Sequence, residues 1–324
     1  VKKNSTSKQK SSTSSGKKKI ISTAQANNEV VIDYYDIDFN GDAQFKENYD
    51  KLFKRVVSAT RYCYIDALKA LHIEDDVRWL FSNVGRHDFL TAKYPTYKRV
   101  TLEFLSSLKG VVKPGLDGMV TFRLYNAKHT WKLSHLDEVL GLPTEGPRLT
   151  SKYWDANQIW RRMGPGTDFD SKGCLNYLIR HPALRYVHKV LANTIFGHEE
   201  NSKVRRDEIY MLEHMLHAKP IDIGSFLIWQ MLSIVKKETT SCALVLGSLI
   251  TPTSLHLGHR DRLIQDGLVE GSDSIDFFAC SSMGWIHKKE GTILWHLGND
   301  DEEELPPPEA MTLRVQENWS FRPM

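Results

Sequence analysis

The segment from residue 36 to residue 47 carries oxygen-bearing side chains at the spacing of a calcium-binding loop. Asp36, Asp38 and Asn40 alternate along the chain, a glycine follows, and Glu47 takes the twelfth position. Carboxylate and amide oxygens are the ligands that Ca²⁺ prefers, and the glycine allows the sharp turn of such loops. Because no partner loop occurs elsewhere in the sequence, we favour the alternative of an acidic connector that caps a helix beginning at Ala43.

Two pairs of histidines raise the question of a metal or nucleotide site. His214 and His217 are three residues apart, whereas zinc proteases use histidines four residues apart, so this pair is predicted to lie on a helix without a metal. The segment 251–259 resembles the nucleotide-binding signature of class I aminoacyl-tRNA synthetases, in which two histidines, matched here by His256 and His259, contact ATP. That signature follows the first strand of a nucleotide-binding fold. No βα alternation surrounds it here, which argues against the site.

Positive side chains suggest contacts with nucleic acid at two places. The first is an amino-terminal arm in which 19 residues hold seven lysines and no acid: Lys2, Lys3, Lys8, Lys10, Lys17, Lys18 and Lys19. Such a segment attracts phosphates in a salt-dependent way. The second is a series of aromatic residues and arginines: Trp154, Trp160, Arg161, Arg162, Arg180, Arg185, Tyr186, Arg205 and Arg206. These could stack on bases, but packing along amphipathic helices is the favoured alternative.

Composition and charge narrow the classes of function. The 324 residues are 41% hydrophobic and 26% charged, which is typical of a globular chain and excludes collagen-like and wholly disordered proteins. The net charge of +3 comes from the arm, because removing its seven lysines leaves −4 for the rest of the chain. An acidic excess argues against nucleic-acid binding by the folded part.

The sequence contains no recognisable catalytic motif. It has no P-loop, no G-x-G-x-x-G and no G-x-S-x-G, and its four cysteines are far apart and form no C-x-x-C pair. Few cysteines in a long chain indicate a reducing compartment, and no run of 18 apolar residues could span a membrane. We therefore assign no catalytic, cofactor-binding or metal-binding residue. The sequence predicts a protein that is not an enzyme and has no membrane partner.

The elements that must position these residues are mainly helical. The spacing of apolar residues predicts helices over 43–59, 183–196, 204–217 and 222–237, and a further buried helix over 242–250. Helices of this kind bury one apolar face against a common core.

Two short pieces of β-structure are predicted beside the helices. Val120, Phe122 and Leu124 alternate with polar neighbours, which predicts a strand that pairs with a second strand ending near residue 133. A β-hairpin is predicted near 285–296, with a glycine close to its turn. The expected fold class is therefore α+β, mainly α-helical, with a small strand pair near 119–133 and a hairpin near 285–296.

Several segments of the chain resemble a plant protein family. They include the motif Leu-Gly-Leu-Pro at 140–143 and the motif His-Pro-x-x-Arg at 181–185. The segments are 118–124, 131–143, 178–185, 195–198 and 220–224. Together they resemble the open-reading-frame proteins of Athila-type plant LTR retrotransposons, over about residues 30–270. The strand–turn unit that ends in Leu-Gly-Leu-Pro is also similar to the plant mobile domain.

Composition and resemblance divide the chain into three parts. Residues 1–29 are predicted to be a disordered basic Lys/Ser arm, because the segment has too little apolar surface to offset its ordering entropy. Residues 30–298 form the mainly helical, retrotransposon-protein-like domain. Residues 299–324 are predicted to be an acidic, proline-rich tail at the periphery.

The resemblance implies a protein of a transposable element. We predict that it is non-enzymatic and has a structural, gag-like assembly role or a role in nucleic-acid handling, in the nucleus or the cytoplasm. The expected partners are RNA or DNA, bound through the basic arm, and further copies of the chain. Two alternatives stay open at this point. One is a protein-interaction module like the plant mobile domain, and the other is an enzyme of unknown chemistry.

Overall fold

The computed structural model describes residues 31–86, 92–198, 202–237, 242–298 and 301–322, and in these residues the chain is mainly helical. Thirteen α-helices occur in the described part of the chain. They are Ala43–Phe53 (α1), Ile65–Ala70 (α2), Glu74–Ser82 (α3), Lys98–Ser107 (α4), Leu133–Val139 (α5), Ala156–Met163 (α6), Pro182–Thr194 (α7), Arg206–Leu216 (α8), Ile223–Ile234 (α9), Gly247–His256 (α10), Arg260–Gln265 (α11), Phe277–Ser282 (α12) and Pro308–Met311 (α13).

Eight short strands form three small sheets among these residues. The strands are Tyr62–Cys63 (β1), Lys109–Gly110 (β2), Met119–Leu124 (β3), Ala127–Lys132 (β4), Ser274–Ile275 (β5), Ile286–Lys289 (β6), Thr292–Gly298 (β7) and Asp301–Glu304 (β8). Strands β1 and β5 pair in parallel, while β2-β3-β4 and β6-β7-β8 are antiparallel sheets. This architecture confirms the predicted α+β class, including the strand pair near 119–133 and the hairpin near 285–296.

The β3–β4 hairpin shows how local sequence produces local structure. Val120, Phe122 and Leu124 are fully buried on one face of β3, as their alternation predicts. The turn consists of Tyr125 and Asn126, which both have positive φ angles of 50° and 70°. The buried carboxylate of Glu103 on α4 accepts both of their backbone N–H groups, at 2.8 and 2.7 Å. A side chain of a neighbouring helix thus supports a turn that does not contain glycine.

Helix starts are set by side chains that accept the first free N–H groups. Asp42 accepts the N–H of Phe45 at the start of α1, and Asp222 accepts the N–H of Ser225 at the start of α9. At the start of α7 the ring of His181 takes this role, and Pro182 follows at the first helical position. The apolar faces of the helices and of β3 meet in one hydrophobic cluster.

The predicted helix over 242–250 is wrong in its position. Residues 242–246 lie outside the helix, because Leu244 forms a bridge with residues 56–58: its N–H donates to the carbonyl of Val56 at 2.7 Å and its carbonyl accepts the N–H of Ser58 at 3.0 Å. Helix α10 begins at Gly247 and runs on through Pro252 to residue 256. Long-range pairing of the backbone outweighs the local apolar pattern here.

Residues 301–322, which the composition sets apart as a peripheral tail, pack onto the domain. Strand β8 adds a third strand to the predicted hairpin through its pairing with β7. Further along, four apolar side chains are at most 5% exposed: Met311, Leu313, Trp319 and Phe321. Their burial places this segment in the same compact unit as the rest of the chain from residue 32 onward. Among the described helices, none has the length and hydropathy needed to cross a bilayer.

Candidate functional site

The acidic segment at the start of the described chain does not gather its oxygens around one point. Asp38 accepts the backbone N–H of Asn40 at 2.8 Å, and Asp42 caps helix α1 while its other oxygen accepts from Lys109. In the described residues, no group of three or more His, Cys, Asp or Glu side chains is placed to hold a metal ion. The geometry therefore favours the interpretation of this segment as a connector that caps a helix.

The histidines of the synthetase-like segment are aromatic packing partners. The ring of His256 at the end of α10 lies 5.7 Å from that of Trp131, and the ring of His259 lies 4.8 Å from that of Tyr125. Strand β4, which carries Trp131, belongs to an antiparallel sheet, and no parallel βαβ unit surrounds the segment among the described residues. The geometry therefore favours packing of these histidines over a nucleotide site of the synthetase type.

Key members of the aromatic–arginine series are inside the protein. Trp160, Arg185 and Tyr186 are fully buried. Arg206 donates to the carbonyl of Trp154 and its guanidinium lies 5.3 Å from the centre of that ring. Stacking of these buried residues on bases is therefore wrong, because a base could not reach them. The seven arm lysines, from Lys2 to Lys19, lie outside the described residues.

Arg185, from the His-Pro-x-x-Arg motif, links three parts of the chain. Its guanidinium donates to the carbonyls of Ile179 at 2.7 Å, of Tyr177 at 2.6 Å and of His296 at 2.7 Å. It also lies 4.3 Å from the centre of the Trp295 ring. A guanidinium presents its donors in a fixed fork, so this residue can join the start of α7 to strand β7 in one geometry.

His181, from the same motif, fixes the carboxyl-terminal segment. Its Nδ1 accepts the N–H of Ala183, so the ring proton lies on Nε2, which donates to the carbonyl of Met311 at 2.7 Å. Full burial lowers the pKa of this histidine to about 4, so the ring is neutral at pH 7. Nearby, Asp76 accepts the N–H of Leu313 and the hydroxyl of Thr312, both at 3.0 Å.

A buried chain of polar groups connects α7 to α8 and looks at first like a catalytic relay. The amide of Asn176 donates to Nδ1 of His188 at 2.7 Å, and Nε2 of the same ring donates to Glu208 at 2.8 Å. Burial acts to raise the pKa of Glu208, but the bonds from His188 and from the N–H of Arg205 hold it below its usual value. Both ring nitrogens of His188 are occupied, so it has no position left from which to activate a nucleophile.

A second buried cluster joins two of the family-like segments. Asp137 from 131–143 and Asp222 from 220–224 are both buried, and Arg148 donates to Asp222 at 3.0 Å. Burial, and then the charge of Asp222, raise the pKa of Asp137 to about 8, so its carboxyl is protonated at pH 7. A Cβ atom at Gly224 would lie 1.5 Å from an oxygen of Asp137. Position 224 therefore has to be glycine for the two segments to pack.

Sequence reasoning did not find these clusters as units. Asp137 and Asp222 are 85 residues apart, and His188 and Glu208 belong to different helices. The only signal was indirect: most of these residues lie in or next to the segments that carry the family resemblance. What those segments share in the structure is a set of buried hydrogen bonds that fix the packing of the helices.

Two openings of the surface lie close to the family-like segments. One is a cavity of about 220 Å³ between Tyr62, Leu140 and Leu249, which is below the usual range of small-molecule sites. The other is a groove of about 530 Å³ where Pro143 and Glu145 face the backbone near Pro220. The groove is thus formed where two of the family-like segments meet.

The comparisons with known proteins agree with the resemblance. A model of the ATHILA ORF-1 family matches residues 18–218. Searches of curated proteins and of solved structures each found no match, and no comparison supports the similarity to the plant mobile domain. The matched region contains the Leu-Gly-Leu-Pro and His-Pro-x-x-Arg motifs and covers more than half of the chain. The chain therefore belongs to the ATHILA ORF-1 family and is an Athila-type retrotransposon protein.

Proposed function

We propose that this protein is a non-enzymatic, gag-like component of the retrotransposon that binds the RNA or DNA of the element and assembles on it. The basic arm supplies the contacts with phosphate, and the helical domain supplies the surfaces through which copies of the chain associate. Such a role belongs where the nucleic acid of the element is found, in the nucleus or the cytoplasm.

The separation of charge along the chain carries this proposal. Seven lysines without an acidic residue occupy the first 19 positions, while the rest of the chain has a net charge of −4. A lysine-rich arm binds phosphates without reading sequence, and the acidic excess of the remainder disfavours the same contact elsewhere. Electrostatic attraction would thus concentrate on the arm and leave the domain for contacts between protein chains.

The polar clusters of the domain support a role other than catalysis. His181, Arg185 and His188 each have their nitrogens engaged with backbone carbonyls, backbone N–H groups or side chains of the fold. Groups that are held in this way stabilise packing, whereas catalysis requires a group that can reach a substrate.

Neutralising the arm tests the proposal in the full chain. In one variant the seven arm lysines become glutamine, and in a matched control they become arginine. We expect wild-type protein and the arginine variant to form large assemblies with single-stranded RNA, measured by light scattering, and the glutamine variant to form none. If all seven lysines contact phosphate, the logarithm of the binding constant falls with the logarithm of salt concentration with a slope of about −5.

A second candidate function, a protein-interaction module, is favoured by the groove beside Pro143 and Pro220. The same measurement separates the two candidates. Assemblies that depend on RNA and dissolve at high salt support the nucleic-acid role. A monomer that ignores RNA in all three forms overturns it and leaves the interaction module as the better description.

A further inference from the structure

A polar cavity of about 230 Å³ lies on the domain, and the residues that line it are not those of the buried clusters described above. Arg61, which directly precedes β1, and Lys189 on α7 reach its lining from two sides. Asn193, one turn after Lys189, and the serines at 58 and 272 add polar groups to the wall. The cavity therefore brings two cations and several hydrogen-bonding side chains together from three separate stretches of the chain.

The wall of this cavity is fixed by backbone contacts. The N–H of Ser58 donates to Leu244 at 3.0 Å, and the N–H of Tyr62 donates to the carbonyl of Asp273 at 2.8 Å. The side-chain amide of Asn193 donates to the carbonyl of Lys189 at 3.0 Å, which fixes it on the same face of α7. The parallel pairing of β1 with β5 joins two of the chain segments that line the cavity.

The two cations have no anionic partner in the described part of the protein. No carboxylate there lies within 4.0 Å of the side-chain nitrogens of Arg61 or Lys189. Burial, and then the charge of Arg61, lower the pKa of Lys189 to about 8. Arg61 is exposed and Lys189 is half-buried, and their like charges repel each other across the cavity. An anion bound between them would offset that repulsion.

We propose that the cavity between Arg61 and Lys189 is a binding site for a phosphate group. The guanidinium offers a fork of donors that matches phosphate geometry, the ammonium offers a compact charge, and the serine and asparagine side chains offer further hydrogen bonds. The phosphate can come from a free ion or from the phosphorylated end of an oligonucleotide, since both present the same oxygens. The site does not depend on the arm or on the proposed role of the arm.

Glu270 gives this site an internal control. Its exposed side chain is the one carboxylate among the residues that line the described cavity. A negative charge at the rim competes with a bound anion, so Glu270→Gln is expected to tighten phosphate binding several-fold. Lys189→Met and Arg61→Met remove one cation each and are expected to weaken it at least tenfold.

The test uses the full chain with its seven arm lysines changed to glutamine, so that the arm cannot contribute. Inorganic phosphate is titrated by calorimetry into this protein, and then into the same protein with Lys189→Met, Arg61→Met, Glu270→Gln or the exposed-lysine control Lys172→Met. We expect saturable binding that Lys172→Met leaves unchanged. Unfolding temperature with and without phosphate shows that each variant is folded.

Oligonucleotides with and without a 5′-phosphate distinguish the sources of the group. Binding that requires the 5′-phosphate and is lost in Lys189→Met supports the site with a polynucleotide end as its ligand, and binding of inorganic phosphate alone supports it with a free ion. The proposal is overturned if the arm-neutralised protein binds neither probe, or if Lys189→Met and Arg61→Met bind as tightly as their parent. Because the arm is neutral throughout, these outcomes do not depend on whether the arm captures RNA.

Discussion

Arg185 and Lys189 lie one turn apart on helix α7, and the structure treats them in opposite ways. Arg185 is fully buried, donates to three carbonyls and packs on Trp295. Lys189 lines an open polar cavity beside Arg61, and no carboxylate of the described residues lies within 4.0 Å of its side-chain nitrogen. The hydrogen-bond donors of Arg185 are taken up by carbonyls of the fold, whereas the ammonium group of Lys189 is available to the proposed phosphate ligand.

One helix thus carries a cation that stabilises packing and a cation that is proposed to bind a ligand. His181 and Arg185, which belong to the His-Pro-x-x-Arg motif, are held by backbone groups and fix the packing of distant segments. Lys189 belongs to no motif, yet it has the electrostatic setting that binding sites show. Buried polar groups with complete partners indicate structure, and partly buried groups without partners indicate a ligand.

The largest effect is expected at Arg185. Arg185→Met leaves three backbone carbonyls without their donor, including that of the buried Ile179. The free energy of unfolding should therefore fall by about 4 kcal/mol. Arg185→Lys keeps the charge but loses the fork, and should recover only a part of this loss. Urea unfolding followed by circular dichroism measures both. If Arg185→Met lowers the free energy of unfolding by less than about 1 kcal/mol, Arg185 does not differ from Lys189 in its contribution to stability.

A somewhat smaller effect is expected at the contact between two family-like segments. Gly224→Ala places a Cβ against the carboxyl of Asp137, which should lower the free energy of unfolding by about 3 kcal/mol. In an Asp137→Ala background the same substitution should cost much less, because the clashing oxygen is gone. Equal costs in both backgrounds, measured by the same urea titrations as a double-mutant cycle, would show that the contact does not limit packing.

The pH dependence of stability gives the next effect. The pKa of Asp137 is about 8 in the fold and about 3.8 in the unfolded chain, so between these values the folded state holds a proton that the unfolded state has lost. Stability should therefore fall as the pH rises through this window, by at most about 1.4 kcal/mol for each pH unit.

Asp137→Asn removes the titrating carboxyl group and therefore tests whether Asp137 is the source of this pH dependence. Between pH 5 and pH 7.5 the wild-type protein should lose about 3 kcal/mol more than Asp137→Asn does, in urea unfolding at the two pH values. The exposed Glu145, which forms no ion pair among the described residues, offers a control, since Glu145→Gln should follow the wild-type curve. Parallel curves for Asp137→Asn and the wild type would mean that this carboxyl is ionised in the fold.

The parts of the fold that depend on nearby residues could be predicted from the sequence. The β3–β4 hairpin follows from alternation within six residues, and helix α7 follows from Pro182 and the apolar spacing after it. The apolar pattern of 242–246 predicts a helix, but in the structure Leu244 pairs with Val56, almost 190 residues away in the chain. Local pattern carries no information on such a contact.

The candidate sites also differ in whether they depend on residues that are near or far apart in the sequence. Motif matching pointed to the segment 36–47 and to His256 and His259, whose side chains cap a helix or pack on rings. The phosphate cavity needs Arg61, Lys189 and Glu270 together, and no spacing rule connects residues so far apart. The net charge of the domain could not predict the cavity either, because an overall acidic excess gives no information on where individual cations lie.

The most direct test compares the two cations of α7 in one experiment. Thermal unfolding of the arm-neutralised protein is measured for the parent, Arg185→Met and Lys189→Met, each with and without saturating inorganic phosphate. We expect Arg185→Met to be strongly destabilised but still to gain stability from phosphate. We expect the free energy of unfolding of Lys189→Met to lie within about 1 kcal/mol of the parent's, with no gain from phosphate. If Lys189→Met is destabilised as much as Arg185→Met, or gains as much from phosphate as the parent does, the distinction between a structural and a ligand-binding cation is contradicted.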